Sequence, residues 1–149
     1  MRIYIDTSVV GGFYDDEFDQ STREFFTEVE NGKFILVVSE LLEAELIRAP
    51  EFVRNHLNKY SIEQIERVEL TEEAKVLADR YIIEQVVGAT SKADCQHIAI
   101  ATINKVDVLV SWNFKHIVNL KRIRGYNSVN LKNNYQMLEI RTPKEILES

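Results

Sequence analysis

The sequence predicts an α/β fold: one domain over residues 1–149 with a mainly parallel central sheet flanked by helices. Three observations predict it. β-branched and apolar runs at Ile3–Ile5, Phe34–Val38 and Val106–Val110, the last interrupted by Asp107, are bounded by polar or charged residues, as in strands buried on both faces. Stretches with helical spacing separate these runs, and the order strand, helix, strand, helix favours right-handed βαβ crossovers. The runs also end on polar groups, Asp6-Thr7-Ser8, Ser39 and Ser111-Trp112-Asn113. Ligands of open α/β sheets collect at such strand ends.

The elements follow in order. Arg2–Ile5 forms the first strand, and Gly11-Gly12 permits a tight turn before the acidic loop Asp15-Asp16-Glu17. Ser21 and Glu24 are spaced as a capping box, and Phe25, Phe26 and Val29 repeat with helical spacing, predicting a helix over 21–31 that Asn31-Gly32 stops. After the Phe34–Val38 strand, Ser39 caps a helix over Glu40–Ala49. Ala49-Pro50 breaks it, and residues 51–60 read as another helix. Ile65–Leu70 is a short strand or a helix end. Thr71 caps a helix that reaches Val87, with Gly88 as its stop. Ser91 and Asp94 match a cap signature, which places Asp94 in the first turn of a helix burying Ile98 and Ala101. Val106–Ser111 is the next strand. Residues 114–134 read as helix and loop interrupted by Gly125, followed by a strand near Met137–Ile140 and a last helix opened by Thr142-Pro143-Lys144-Glu145.

Composition excludes several classes of function. With 45% hydrophobic and 28% charged residues the chain is an ordinary globular one, and 5 glycines and 2 prolines argue against linkers. Cys95 is the only cysteine, so neither an internal disulfide nor a cysteine-rich zinc site is available, which suits a cytoplasmic protein. No leader and no apolar run of about 18 residues is present, so no membrane partner is expected. The turn after the first strand lacks a glycine-rich phosphate loop, which weighs against a nucleotide-binding α/β protein. A net charge of -6 opposes broad adhesion to nucleic acid. Between Asp107 and Glu139, however, no acid occurs, and Lys115, Lys121, Arg122, Arg124 and Lys132 make a local basic segment, either a solvated face or a phosphate-contacting rim.

Three carboxylates fall at compatible ends of the predicted elements: Asp6 after the first strand, one glutamate of the helix after the second, and Asp94 before the later strand. Asp6 alone is equally a turn cap, and Asp94 alone is accounted for by the helix dipole. Helical geometry does not decide between Glu43 and Glu45. Carboxylates gathered without basic partners raise one another's pKa unless a cation neutralises them, and all-oxygen ligation suits Mg²⁺ or Mn²⁺. Zinc is disfavoured, because His56, His97 and His116 have no paired ligand spacing. His97 reads as a packing residue on the Asp94 helix.

The segments Ile3-Tyr4-Ile5-Asp6-Thr7-Ser8, Ser39-x-x-Leu42-x-x-Glu45-Leu46, Ala93-Asp94-x-x-His97-Ile98-Ala99-x-Ala101 and Leu109-Val110-Ser111-Trp112-Asn113 resemble, in order and spacing, the successive motifs of PIN-domain ribonucleases, especially VapC-like toxins of toxin–antitoxin pairs. The resemblance covers residues 1–119, with 120–149 completing the domain. It implies a metal-dependent endoribonuclease using Mg²⁺, or Mn²⁺ as substitute, an RNA substrate, a cognate antitoxin and a homodimer. It chooses Glu45 over Glu43, and makes Asp6, Glu45 and Asp94 metal-site residues and, with Asn113, the candidate catalytic set. Thr7 and Ser8 would support that site, and Lys115, His116, Lys121, Arg122 and Arg124 are candidates for substrate contact. Trp112, Phe114 or Tyr126 would stack an unpaired base, although core packing is the commoner use of such residues. One departure stands out: Asn113 occupies a position where many members of the family carry an aspartate, and Asn supplies no charge. The alternative to a nuclease is therefore a catalytically weakened PIN-fold module that binds RNA or a partner.

Overall fold

The computed structural model describes all 149 residues. β1 (Arg2–Ile5) lies at the centre of a five-stranded, wholly parallel sheet. β2 (Ile35–Ser39) and β3 (Ile65–Val68) lie on one side of it, β4 (Val108–Val110) and β5 (Ile140–Arg141) on the other. In the order β3-β2-β1-β4-β5 the chain builds outward from β1 in one direction and then in the other. Such a switch point leaves a crevice beyond the C-terminal strand ends. Asp6 and Ser111 directly follow the ends of β1 and β4.

Side chains alternate across the sheet, so one set of strand residues faces each layer of helices. Ile3, Ile5, Leu36, Val38, Val108 and Val110 share a core with residues of α1 (Thr7–Gly12), α2 (Asp19–Glu30), α3 (Glu40–Leu46), α4 (Glu51–Arg54) and α8 (Pro143–Glu148). Tyr4, Val37, Leu109 and Ile140 share a second core with α5 (Glu72–Ile83), α6 (Lys92–Ile103) and α7 (Leu120–Lys132). Helices on both faces explain why these strands are unbroken apolar runs rather than alternating ones. No helix is long and apolar enough to cross a membrane.

Several local expectations are corrected. Residues 7–12 are a helix, not a turn at Gly11-Gly12. The capping-box spacing of Ser21 and Glu24 is not used, because α2 already starts at Asp19 and its N-cap position is Phe18. Residues 51–60 split into α4 and a 3₁₀ turn at His56–Lys59. α5 stops at Ile83 because Gln85 takes a left-handed conformation (φ 61°), before Gly88 is reached. Ser91 holds the N-cap position of α6 without a side-chain capping bond, and its buried hydroxyl has no partner. Gly125 does not interrupt α7, which runs through it. A Cβ at Gly125 would lie 2.7 Å from Val86 Cγ1, so the residue permits α7 to approach the segment after α5. Ser39, Thr71 and Thr142 cap their helices as expected, the last in a full capping box with Pro143 at the first position.

Gly12 is constrained more tightly. A Cβ there would sit 2.8 Å from Trp112 Cδ1 and Nε1 and 3.0 Å from Thr22 Oγ1. The indole cannot withdraw freely, because Phe18 stacks on it at 4.5 Å and its Nε1–H donates to Thr22 Oγ1 at 2.9 Å. Gly12→Ala is therefore expected to destabilise the protein by roughly 1–3 kcal/mol, the usual range for overpacking. Chemical denaturation should show a lower midpoint at unchanged slope, and an unchanged midpoint would contradict this packing.

Candidate active site

Asp6 sits where β1 passes into α1 and is 4% exposed. It occupies the N-cap position but makes no capping bond, so the turn-cap explanation of this residue does not hold. Instead Oδ1 accepts from Ser8 Oγ at 2.6 Å and Oδ2 accepts from Ser111 Oγ at 2.7 Å. Ser8 Oγ in turn accepts from the Trp112 amide, and Ser111 Oγ from the Asn113 amide, both at 2.9 Å. The two strand ends thus hold both carboxylate oxygens in a fixed orientation. Burial pushes the Asp6 pKa up, Glu45 adds to the rise, and His97 and the two serine hydroxyls oppose it without cancelling it.

Asp94, in the first turn of α6, is half-buried. Burial and the nearby Asp6 charge raise its pKa, while His116 and His97 lower it. Asn113 Nδ2 donates to Asp94 Oδ1 at 3.3 Å, and Asn113 Oδ1 accepts from the His116 amide at 2.9 Å. One lone pair of the Asn113 amide oxygen is thereby used, and its amide nitrogen orients Asp94.

Glu45 is the glutamate that turns toward this crevice, whereas Glu43 pairs with Arg67 at the surface. Glu45 Oε1 accepts from Thr7 Oγ1 at 2.8 Å and from His97 Nε2 at 2.6 Å. Burial would raise the Glu45 pKa, but the His97 bond and charge and the Thr7 bond together bring it below its ordinary value. His97 is 2% exposed, and its Nδ1 lies 2.6 Å from the Tyr4 hydroxyl, which also meets Ser39 Oγ at 2.8 Å. Ser39 Oγ accepts from the Leu42 amide at the start of α3. His97 is thus more than a packing residue. A continuous hydrogen-bonded chain, Ser39–Tyr4–His97–Glu45, links the ends of β1 and β2 to one carboxylate oxygen and leaves Glu45 Oε2 without a protein hydrogen bond.

This chain was not anticipated from sequence. The available signal was Tyr4 itself, a phenol inside an otherwise apolar strand, because a buried tyrosine hydroxyl requires a partner. Ser111, now a donor to Asp6, was visible only as a polar strand end.

The donor chemistry fits a hard divalent ion. Asp6 and Asp94 offer only oxygen, neither forms an ion pair with Lys or Arg, and the charge of Asp6 raises the pKa of Asp94. The expected three-carboxylate cluster is not assembled as a cage, however. No three His, Cys, Asp or Glu side chains are grouped so as to hold an ion as the molecule stands, and Glu45 is tethered to Thr7 and His97. Cys95 and His56 offer no substitute. Burial pushes the Cys95 thiol up to about 12, and His56 lies buried among Phe13, Phe26 and Tyr60 with its pKa held down to about 4 by burial and nearby Lys59 and Arg23.

The candidate substrate contacts divide. Thr7 and Ser8 are spent on Glu45 and Asp6. Arg122 donates one N–H to the Val86 carbonyl and is in no ion pair, and Lys132 pairs with Glu84 at the surface. Lys115, Lys121 and Arg124 are exposed and make no ion pair. His116 is half-buried with Nδ1 unpartnered, on the Asp94 side of the crevice. Tyr126 is fully buried and donates to the His116 carbonyl at 2.7 Å, which excludes it as a base-stacking residue.

No protein-family model matches the chain, and no curated protein matches it in sequence. Solved structures do. VapC20 of Mycobacterium tuberculosis, described as a sarcin-ricin loop cleaving toxin, superimposes with a TM-score of 0.58 at 10% identity over 76% of this chain and 91% of its own. A chain of VapBC2 from Rickettsia felis, solved bound to a DNA fragment from its promoter, superimposes with a TM-score of 0.58 at 13% identity over 95% of this chain and 98% of its own. The chain accordingly has the PIN-like α/β fold that these VapC structures display.

Proposed function

We propose that the protein is an endoribonuclease that hydrolyses RNA phosphodiester bonds with the help of Mg²⁺ or Mn²⁺, and that it acts as the toxin of a toxin–antitoxin pair. The observation that carries the chemistry is the pair Asp6 and Asp94, two acids at the switch-point crevice whose charges meet no lysine or arginine. Asp6 and Asp94 would hold the ion, which when bound would supply a more acidic water and shield the charge that builds on the phosphate. The remaining work falls to this chain. Ser8 and Ser111 keep the Asp6 oxygens oriented, and Asn113 does the same for Asp94. Glu45, anchored through Oε1, presents Oε2 to accept a hydrogen bond from the attacking water. Lys115 and Lys121 attract the phosphates on either side. An antitoxin partner and a second copy of the chain are part of the same proposal, the former supported by the VapBC2 assembly of the Rickettsia felis protein.

Purified protein is expected to cleave single-stranded or looped RNA when Mg²⁺ or Mn²⁺ is present and to stop when EDTA is added. RNA binding that persists with no cleavage at any divalent-ion concentration would refute the nuclease and establish the alternative, a PIN-fold module that binds RNA without hydrolysing it.

A further inference from the structure

The segment between α3 and β3 contains only the four-residue α4 and the four-residue 3₁₀ turn at His56–Lys59, both too short to persist without side chains that pin them to the rest of the fold. Val53, Leu57 and Tyr60 are buried, and among them His56 is 2% exposed. The imidazole lies 4.4 Å from the ring of Phe13, which follows α1, and 4.6 Å from that of Phe26 in α2. Through His56 the segment grips both helices.

Both ring nitrogens have partners already. Tyr14 donates its hydroxyl proton to the Phe52 carbonyl at 3.2 Å, so its oxygen accepts from His56 Nδ1 at 3.0 Å. Nε2 then accepts from the Tyr60 hydroxyl at 3.4 Å. These bonds satisfy a neutral ring and leave no place for a second proton. A proton on Nε2 would reverse the Tyr60 bond and strand the hydroxyl of a tyrosine that is 8% exposed.

The surrounding charges act in the same direction. Arg23 of α2 lies over the Phe13 ring at 4.2 Å and Lys59 lies over the same ring at 4.7 Å, and both repel an imidazolium. No carboxylate pairs with His56: Asp19 is turned to Arg23, and Glu30 bears on the Tyr60 hydroxyl. Burial, Lys59 and Arg23 together hold the His56 pKa down to about 4. A free imidazole has about 6.5.

We propose that residues 50–60 form an acid-released latch, closed on α1 and α2 while His56 is neutral and opened by protonation of the released ring. Above about pH 6.5 neither state carries the extra proton, and the latch is fully closed. As pH falls below that value the released ring binds a proton that the buried ring refuses, and opening becomes about tenfold easier per pH unit. Below about pH 4 the buried ring is protonated as well, and the effect levels off. Opening bares Phe26, Val53 and Leu57 and loosens the far end of α1, the helix whose first residue, Thr7, bonds Glu45. The latch does not depend on the ribonuclease reading.

Hydrogen exchange of the full chain at about pH 7 and about pH 4.5, with the intrinsic exchange rate divided out, measures the opening. Protection of amides over residues 53–60 is expected to fall roughly 50-fold, while that of β1, β2 and β4 stays unchanged. His56→Gln keeps a neutral, hydrogen-bonding side chain at every pH and should remove the pH dependence. Lys59→Gln, which deletes one of the repelling cations, should shrink it. An equal pH dependence in His56→Gln overturns the latch, and so does a parallel loss of protection in the strands, which is acid unfolding of the whole domain. Should His56→Gln fail to fold, NMR titration of the His56 ring in the wild-type chain decides. A midpoint close to 4 together with loss of protection confined to the segment upholds the latch, and a midpoint near 6.5 refutes it.

Discussion

Asp6→Asn is expected to abolish metal-dependent RNA cleavage, by at least about 10³-fold, while making the metal-free protein more stable. The two effects share one cause. Asp6 is buried against the ends of β1 and β4, next to two other acids, and its pKa is raised chiefly by that burial. Below the ordinary carboxylate pKa, both folded and unfolded chains carry the proton, and Asp6 is neutral in the stability balance. As pH rises above that value, the unfolded chain ionises first and the folded chain loses stability until its own carboxyl ionises. At neutral pH the raised pKa of Asp6 is therefore a cost to the folded wild-type chain that an amide of the same shape removes. The gain is about 1 kcal/mol, or roughly 2–4 °C in Tm. Ser8 and Ser111 have hydroxyls that rotate to donate to the amide oxygen or to accept from its nitrogen. Added Mn²⁺ should raise the Tm of the wild-type chain, because the ion favours the ionised acid, and should raise that of Asp6→Asn much less. Equal Mn²⁺ shifts in the two proteins, or a lower Tm for Asp6→Asn without metal, would contradict this account of the site.

The second large effect concerns His97. His97→Ala removes a 2%-exposed ring, leaves the Tyr4 hydroxyl without its 2.6 Å partner and frees Glu45 Oε1 from its strongest tether. Cavity and lost hydrogen bonds together are expected to cost roughly 2–4 kcal/mol. Cleavage should fall about 10–100-fold, as when a group that orients a metal-site carboxylate is lost. Tyr4→Phe isolates the positioning effect, because its volume is nearly unchanged and only the hydroxyl is missing. It is expected to cost about 1–3 kcal/mol and, if Glu45 meets the attacking water as proposed, to lower kcat with KM nearly constant. Gln at position 97 can still donate to Glu45 and should recover part of kcat. If Tyr4→Phe has wild-type kcat and Tm, the hydrogen-bonded chain is incidental.

These two experiments probe residues of different legibility. Asp6 was readable because a carboxylate directly after an apolar strand of a parallel sheet falls where ligands collect, and the sheet itself was readable because strands covered on both faces must be apolar throughout. Asp94 was readable as a first-turn acid of the next informative helix. The choice between Glu43 and Glu45 was not readable from spacing, since α3 is apolar on more than one side. It came from resemblance, and the bonds of Glu45 to Thr7 and His97 agree with it. Local boundaries failed where glycine served packing and not a turn: Gly12 lies inside α1 where Trp112 leaves no room for a Cβ, and Gly125 lies inside α7 where Val86 leaves none.

Sequence alone determined the layered sheet, the strand ends on which acids would gather, and the oxygen-only character of the donors, because burial pattern and side-chain chemistry are local properties of the chain. Tertiary structure alone decided what each acid touches. Ser111 reaches Asp6 across 105 positions, and His97 reaches Glu45 across 52. Hydrogen bonds of that span are created only when β1, β2, β4 and α6 are brought to one edge, and no periodicity in the sequence records them. The same holds for Asn113, whose residue type permits either oxygen or nitrogen to face the site. The His116 amide, placed three residues on by the turn after β4, takes the oxygen and leaves the nitrogen for Asp94.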